Sequence, residues 1–269
     1  MLLAPLFTYT LHLADNALML AQRNAEWTGH GPVLEQDIAI TNIALDLIGQ
    51  ARNFYQYAAA LYNDFDRPAK EAVDSILPRP WKAFNRSLQE DDLAFLRDEH
   101  QYYNLLIIEL PKGDWAQTIL RQAFFSVFQL YQYEALKNSP DAQLAAIAEK
   151  SAKETTYHVR WSCEWVIRLG DGTDESSMRL KKALDELWPF TGELFNPAPY
   201  EMQLPGMDMG VLKSLWQQKI TAVFNEAALP VPQTASWQTG GKSGRHTEHL
   251  GFLLAELQYL QRAYPNAVW

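Results

Sequence analysis

The sequence predicts an all-α fold: a bundle of long packed helices with additional helices toward the C-terminus. Three observations support it. Apolar residues recur at steps of three and four over segments of about twenty residues, no segment alternates apolar and polar residues as a half-buried strand would, and Pro and Gly gather between the periodic segments. Hydrophobic residues make up 48% of the 269 and charged residues 20%, which is enough apolar content for a buried core and too much for a disordered chain. No internal repeat or linker interrupts the pattern. One domain spanning 1–269 is therefore expected, with a bundle core at about 34–169 and the helices of 176–269 packed on it.

A first amphipathic helix runs from about residue 6 to residue 26 and ends at Thr28-Gly29-His30-Gly31-Pro32. The second spans Leu34 to Tyr62, where Ile40, Ile43, Leu47, Ala51, Phe54 and Ala58 step along one face. Pro68, Pro78 and Pro80 then break the connection from Asn63 to Glu90. A third helix is expected over Asp91–Leu110, before Pro111-Lys112-Gly113. A fourth covers Asp114–Lys137, before Ser139-Pro140, and a fifth Asp141–Leu169, closed by Gly170-Asp171-Gly172. Shorter helices follow at Ser176–Leu194 and Asp208–Leu229, joined by the loop Asn196–Pro205. A loop over Pro230–Gly244 and a last helix over Thr247–Ala263 complete the chain.

Composition excludes several functions. The net charge of −9, from 23 Lys and Arg against 32 Asp and Glu, lacks the basic excess that a nucleic-acid surface needs. Cys163 is the one cysteine, so no intramolecular disulfide can form, and a reducing compartment is the simplest setting. The apolar N-terminus lacks a cationic leader and is interrupted by His12, Asp15 and Asn16. No run reaches the ~18 apolar residues of a membrane span, so a cytoplasmic protein without a membrane partner is expected.

Long helices with inward polar residues raise the question of a dimetal carboxylate centre. Such a centre takes a Glu from each of two helices and a Glu-x-x-His from each of the other two; the i, i+3 spacing sets carboxylate and imidazole side by side on one helix face. The second helix offers Asp46 within a polar stripe of Asn42, Gly49, Gln50 and Asn53. The third offers Glu99, but Tyr102 stands three residues on where His is required. The fourth offers Ser126 and no inward Glu. The fifth offers His158, but Thr155 stands three residues before it, and Glu154 is offset around the helix. No Glu-x-x-His occurs in these helices, and the four remaining candidates, Asp46, Glu99, Glu154 and His158, fall short of the about six ligands that a dimetal pair takes. A hydrogen-bonded polar network is the favoured reading over a working metal centre.

Gly241-Lys242-Ser243 echoes the end of a phosphate-binding loop, but Ser236 stands where its first Gly belongs and no strand precedes it. Lys242 and Arg245 on this Gly-rich turn could contact an anion or a partner, as could His246 and His249, although a loop fixing the last helix explains all four. Cys163, between Trp161 and Trp165, reads as a structural thiol. No G-x-S-x-G elbow supports a nucleophilic triad.

Four stretches carry a family resemblance: Asp37–Asn53 (DIAITNIALDLIGQARN), Lys153–Arg160 (KETTYHVR), Glu186–Phe195 (ELWPFTGELF) and Thr239–Gly251 (TGGKSGRHTEHLG). They resemble the C-type subunits, PaaC, of the ferritin-like PaaA/PaaC family of ring-1,2-phenylacetyl-CoA epoxidases. The resemblance implies a ferritin-like fold and a non-catalytic structural role with no metal in this subunit. On that reading Asp46, Glu99, Tyr102, Ser126, Thr155 and His158 are degenerate di-iron positions. It also implies a catalytic PaaA-like homologue holding the di-iron centre, a small bridging PaaB-like subunit, and an NADPH-dependent reductase with FAD and an iron–sulfur cluster. Self-association of the chain in the absence of those partners stays open. The Asn63–Glu90 connection is expected to be longer than the family pattern. The rival functions are an active di-metal oxidase or oxygenase using Asp46, Glu99, Glu154 and His158, and a free-standing helical binding protein.

Overall fold

The computed structural model describes residues 3–204, 208–233 and 236–267; among these the chain is helical and holds no strand. Helices α1 (Leu3–Ala25) and α2 (Leu34–Asp64) form a hairpin whose turn is tied by the Asp37 carboxylate, which accepts from Gly31 N at 2.8 Å. Every residue of α1 from Phe7 to Ala21 is buried. Its polar members are satisfied internally: Thr8 and Thr10 donate to the carbonyls of Ala4 and Leu6 one turn back.

A crossover over residues 65–114 follows, holding only the short helices α3 (Arg67–Ala72), α4 (Glu90–Phe95) and α5 (Leu106–Glu109) with 3-10 turns between them. The long helix expected over Asp91–Leu110 does not form. A continuous helix would direct the N–H groups of Tyr103, Leu105 and Leu106 to carbonyls one turn back. Instead Tyr103 N donates to Asp15 at 2.8 Å, Leu105 N to Asn16 at 2.9 Å and Leu106 N to Glu193 at 2.8 Å. Arg97 folds back onto the carbonyls of Leu93 and Gln101 at 2.6 and 2.7 Å, holding the opened backbone in place. Tertiary hydrogen bonds override local helix propensity here.

Helix α6 (Trp115–Leu136) starts at a reciprocal cap, in which Asp114 accepts from Gln117 N and Gln117 accepts from Asp114 N; α7 (Ala142–Gly170) is capped by Asp141. The hairpin α6–α7 packs antiparallel onto α1–α2. Tyr9 meets Gln132 at one end of the α1–α6 seam, and Asn24 meets Gln122 at the other. Along the α2–α7 seam, Tyr57 donates to Asp141, Gln50 to Glu154, and Trp161 to Gln36. Two helical hairpins joined by one long crossover make the ferritin-like connectivity. Its four long helices are α1, α2, α6 and α7; α1 thus belongs to the core, and the expected core of 34–169 begins too late.

Helix α8 (Asp174–Leu187) tightens into a 3-10 segment at Trp188–Phe195, ending about two turns before the expected Leu194, where Pro189 removes a backbone donor. Then come α9 (Pro199–Met202), α10 (Met209–Glu226), α11 (Glu248–Leu257) and α12 (Tyr259–Ala263). The last two replace one expected helix. They part at Gln258, whose amide donates to Arg97 O and to the Tyr102 hydroxyl, both at 2.8 Å. Pro205 and two positions of the loop expected over Pro230–Gly244, Thr234 and Ala235, lie outside the described residues. The core runs from the bundle into this C-terminal layer through Phe124, Trp188, Trp216 and Phe224, whose ring centroids lie 5.6 to 6.1 Å apart in packed pairs.

One face of α2 is left without a cover. Leu34, Ile38, Leu45 and Ile48 are 70, 52, 59 and 45% exposed and recur at helical spacing along one stripe about 21 Å long. Among the described residues no helix is long and apolar enough to cross a membrane.

Candidate functional site

The interior enclosed by α1, α2, α6 and α7 is where a ferritin-like bundle would hold metal. Asp46 and His158 meet there, with His158 Nε2 3.0 Å from Asp46 Oδ2. Asp46 lies toward the surface, 39% exposed in its side chain, whereas His158 is fully buried. Nε2 is the ring nitrogen that meets Asp46, and among the described residues the other, Nδ1, is buried without a partner. A ligating imidazole would have its second nitrogen held by an outer partner.

On α2, α6 and α7 the other interior polar groups are amides and hydroxyls bonded to one another, with Glu154 the one carboxylate that joins them. Gln50 donates to Glu154 at 3.0 Å and accepts from the Tyr133 hydroxyl at 3.1 Å, and Gln129 donates to Tyr133 at 2.9 Å. Ser126 donates to Gln122 O at 2.6 Å and accepts from its amide at 2.7 Å, and Thr155 donates to Ser151 O at 2.9 Å. Glu99 and Tyr102, expected here, are elsewhere. Both sit in the broken crossover, Glu99 at the surface beside Gly251, and Tyr102 buried with its hydroxyl donating to Ala94 O at 2.7 Å and its ring 4.1 Å below the Arg97 guanidinium. Among the described residues no group of three or more His, Cys, Asp or Glu could hold a metal ion. A dimetal centre brings about four positive charges that need carboxylates to balance them. The amides and hydroxyls of this interior do not fit one.

The C-terminal Gly-Gly-Lys turn proves to be an internal clamp. Gly240 N and Gly241 N both donate to Glu193 Oε1 at 2.8 Å, so the N–H pair that could hold an external anion holds the chain's own carboxylate. Gly is required: a Cβ at Gly241 would lie 2.1 Å from Asn104 O, and Gly240 has φ +153°. Lys242 is buried, not outward: its ammonium lies 2.9 Å from Glu201 and 3.1 Å from Asn196 O. Arg245 alone of the four candidates is exposed, at the mouth of a small cavity of about 150 Å³. His246 is buried between Glu109 Oε2 at 2.8 Å and Tyr102 O at 2.9 Å. His249 lies in the first turn of α11, where its backbone N–H donates to the hydroxyl of the N-cap residue Thr247 at 3.3 Å.

Buried carboxylates that the sequence reading did not single out hold this half of the molecule together. Asp15 binds Arg97, Glu109 binds His246 and Thr247 N, Glu193 binds the Gly-Gly turn, and Glu201 binds Lys242. Burial pushes the Glu193 carboxyl above its ordinary range despite these donors. His12 donates to Tyr103 O at 2.7 Å, and burial lowers its pKa, so it stays neutral. Burial also raises the Cys163 thiol to about 11, in keeping with an inert structural role.

For His246, burial alone would lower the pKa, but the hydrogen bond and charge of Glu109 outweigh it and hold the pKa above its ordinary 6.5. The native state thus binds this proton more tightly than the unfolded chain does. The stabilisation is complete below about 6.5 and is lost as pH rises through the native value. Accordingly, the gap in urea midpoint between the parent and His246→Gln should narrow as pH is raised above about 6.5. A gap that widens with pH would contradict the pairing.

The chain matches the phenylacetic acid catabolic protein family, PaaA_PaaC, over residues 3–269. It is 45% identical over 268 residues to the C-type subunit of 1,2-phenylacetyl-CoA epoxidase from Escherichia coli (strain K12), covering 98% of this chain and 99% of that one. Among solved structures, a Synechococcus protein with aldehyde deformylating oxidase activity aligns with a TM-score of 0.47 and 15% identity, over 84% of this chain and 88% of that one.

Proposed function

The chain belongs to the phenylacetic acid catabolic protein family, and from that premise we propose that it is a non-catalytic structural subunit of a multicomponent di-iron monooxygenase that epoxidises phenylacetyl-CoA. The observation that carries this reading is the interior of the bundle: amides and hydroxyls fill most of the positions where a dimetal centre needs carboxylates, bonded to one another and, through Gln50, to Glu154. In this assignment the iron sits in a homologous catalytic subunit, a small bridging subunit completes the assembly, and a reductase with FAD and an iron–sulfur cluster delivers electrons from NADPH. The chain's own contribution is a rigid bundle and an apolar face.

That face is the uncovered stripe of α2, whose Leu34, Ile38, Leu45 and Ile48 would pack against the bundle of the catalytic homologue. A surface stripe of this length suits one long helix of a partner, and interfaces between permanently associated subunits commonly bury more than ~2,000 Å² of largely apolar surface.

Iron content tests the assignment. Expressed alone in iron-replete medium and then offered Fe(II) without oxygen, the chain is expected to retain no stoichiometric iron. A coupled pair of irons per chain, seen by Mössbauer spectroscopy, would overturn the structural reading.

A further inference from the structure

We propose that the cleft between the Trp188–Phe195 segment, α10 and the residues Val231, Pro232, Trp237 and Thr239 is a binding site for a small aromatic carboxylate. The inference is independent of the subunit assignment above. The cleft encloses about 480 Å³, within the range of small-molecule sites and sufficient for a one- or two-ring ligand. Trp188, Phe195, Trp216 and Trp237 line it. Trp188 lies 6.0 Å from Trp216 and 6.5 Å from Trp237, centroid to centroid, and Phe195 lies 5.4 Å from Trp216. Rings at such angles offer both faces and edges to a further flat ring.

The position of Trp237 is built in. A Cβ at Gly192 would lie 2.2 Å from its indole, so only Gly lets that ring lie against the 3-10 backbone. Most core indoles of a protein have their N–H spoken for, as Trp216 does by donating to Phe124 O at 2.9 Å. Trp188, like Trp81 and Trp115 elsewhere in the molecule, has an N–H with no acceptor among the described residues, and it is the one of the three that lines the cleft.

Charge selects the ligand's sign. Lys213 is the one ionisable residue lining the cleft, and its ammonium has no hydrogen-bond or ion-pair partner among the described residues. Asn196 and Gln217 add amide donors beside it. An aromatic pocket without such a lysine would suit an organic cation. Here the ammonium opposes a cation and would pair with a carboxylate, while the ring of the same molecule stacks among the indoles.

The test is isothermal titration and saturation-transfer NMR on the full chain with phenylacetate and indole-3-acetate. Cyclohexylacetate and 2-phenylethylammonium serve as controls for the ring and the charge. The aryl acids are expected to bind saturably and the two controls at least about tenfold more weakly. Lys213→Gln and Trp237→Ala should each weaken the aryl acids by about tenfold, corresponding to one partly desolvated contact. Both positions are solvent-exposed, and near-UV circular dichroism on Lys213→Gln, which leaves every ring in place, confirms that the fold is intact. No saturable binding to the parent chain, equal binding of either control, or unchanged affinity in both variants would each overturn the proposal.

Discussion

Asp15→Ala is expected to lower the stability of the chain by about 3–5 kcal/mol, read as a shift in denaturant midpoint at unchanged slope. Asp15 and Arg97 are both fully buried. The Asp15 carboxylate accepts from both terminal nitrogens of Arg97, from the Tyr55 hydroxyl and from Tyr103 N. Burial works against the Arg97 charge and Asp15 more than offsets it, which holds the guanidinium above its ordinary pKa. Removing the carboxylate strands a positive charge in the core and leaves a backbone N–H of the crossover unpaired, and each is costly. The cost belongs to the broken pair and not to either residue alone. Asp15→Leu combined with Arg97→Met should therefore recover a large part of the loss in a double-mutant cycle. A loss below about 1 kcal/mol for Asp15→Ala would mean that water reaches the guanidinium and the pair is not sealed.

The second large effect concerns assembly. Ile38→Arg combined with Leu45→Arg should leave the isolated chain folded, since both side chains are more than half exposed and face away from the core. Co-expressed with the catalytic homologue, the double variant should bind it at least about a hundredfold more weakly, because two charges would be buried at the centre of an apolar interface. Epoxidation by the reconstituted system should fall with it, while Lys153→Glu, on an exposed part of α7, should leave assembly unchanged. If the double variant assembles with parental affinity, the partner docks elsewhere and the α2 stripe is not its seat.

What the sequence made legible follows from the range of the forces involved. Helices α2, α6 and α7 are amphipathic or sharply capped, and their limits are written in nearby residues such as Asp114, Asp141 and Gly170. Helix α1 was legible as a helix but not as a core member, because a helix buried on all sides carries no polar stripe to orient it. The stretch 91–110 misled because its backbone donors are captured by Asp15, Asn16 and Glu193, which lie far away in the sequence. The same contrast holds within the site. The missing Glu-x-x-His is a local pattern and was readable, whereas Lys242 looked free until Glu201 was seen to hold it. Asp15 sits among apolar residues of a helix, and a carboxylate there demands a buried cation.

The way the crossover is held has a consequence for the order in which the molecule is made. Its backbone is closed by residues that leave the ribosome much later: Leu106 waits for Glu193, 87 positions on, and Glu109 waits for His246, 137 positions on. Until then the α1–α2 hairpin can form and Asp15 and Asn16 can take the N–H groups of Tyr103 and Leu105, but Leu106 N and the Glu109 carboxylate still lack Glu193 and His246. The last third of the polypeptide thus acts on the middle as a latch that arrives at the end of synthesis. A chain released before that point would carry a formed N-terminal hairpin and a centre fastened on one side only, the kind of half-finished species that quality control recognises.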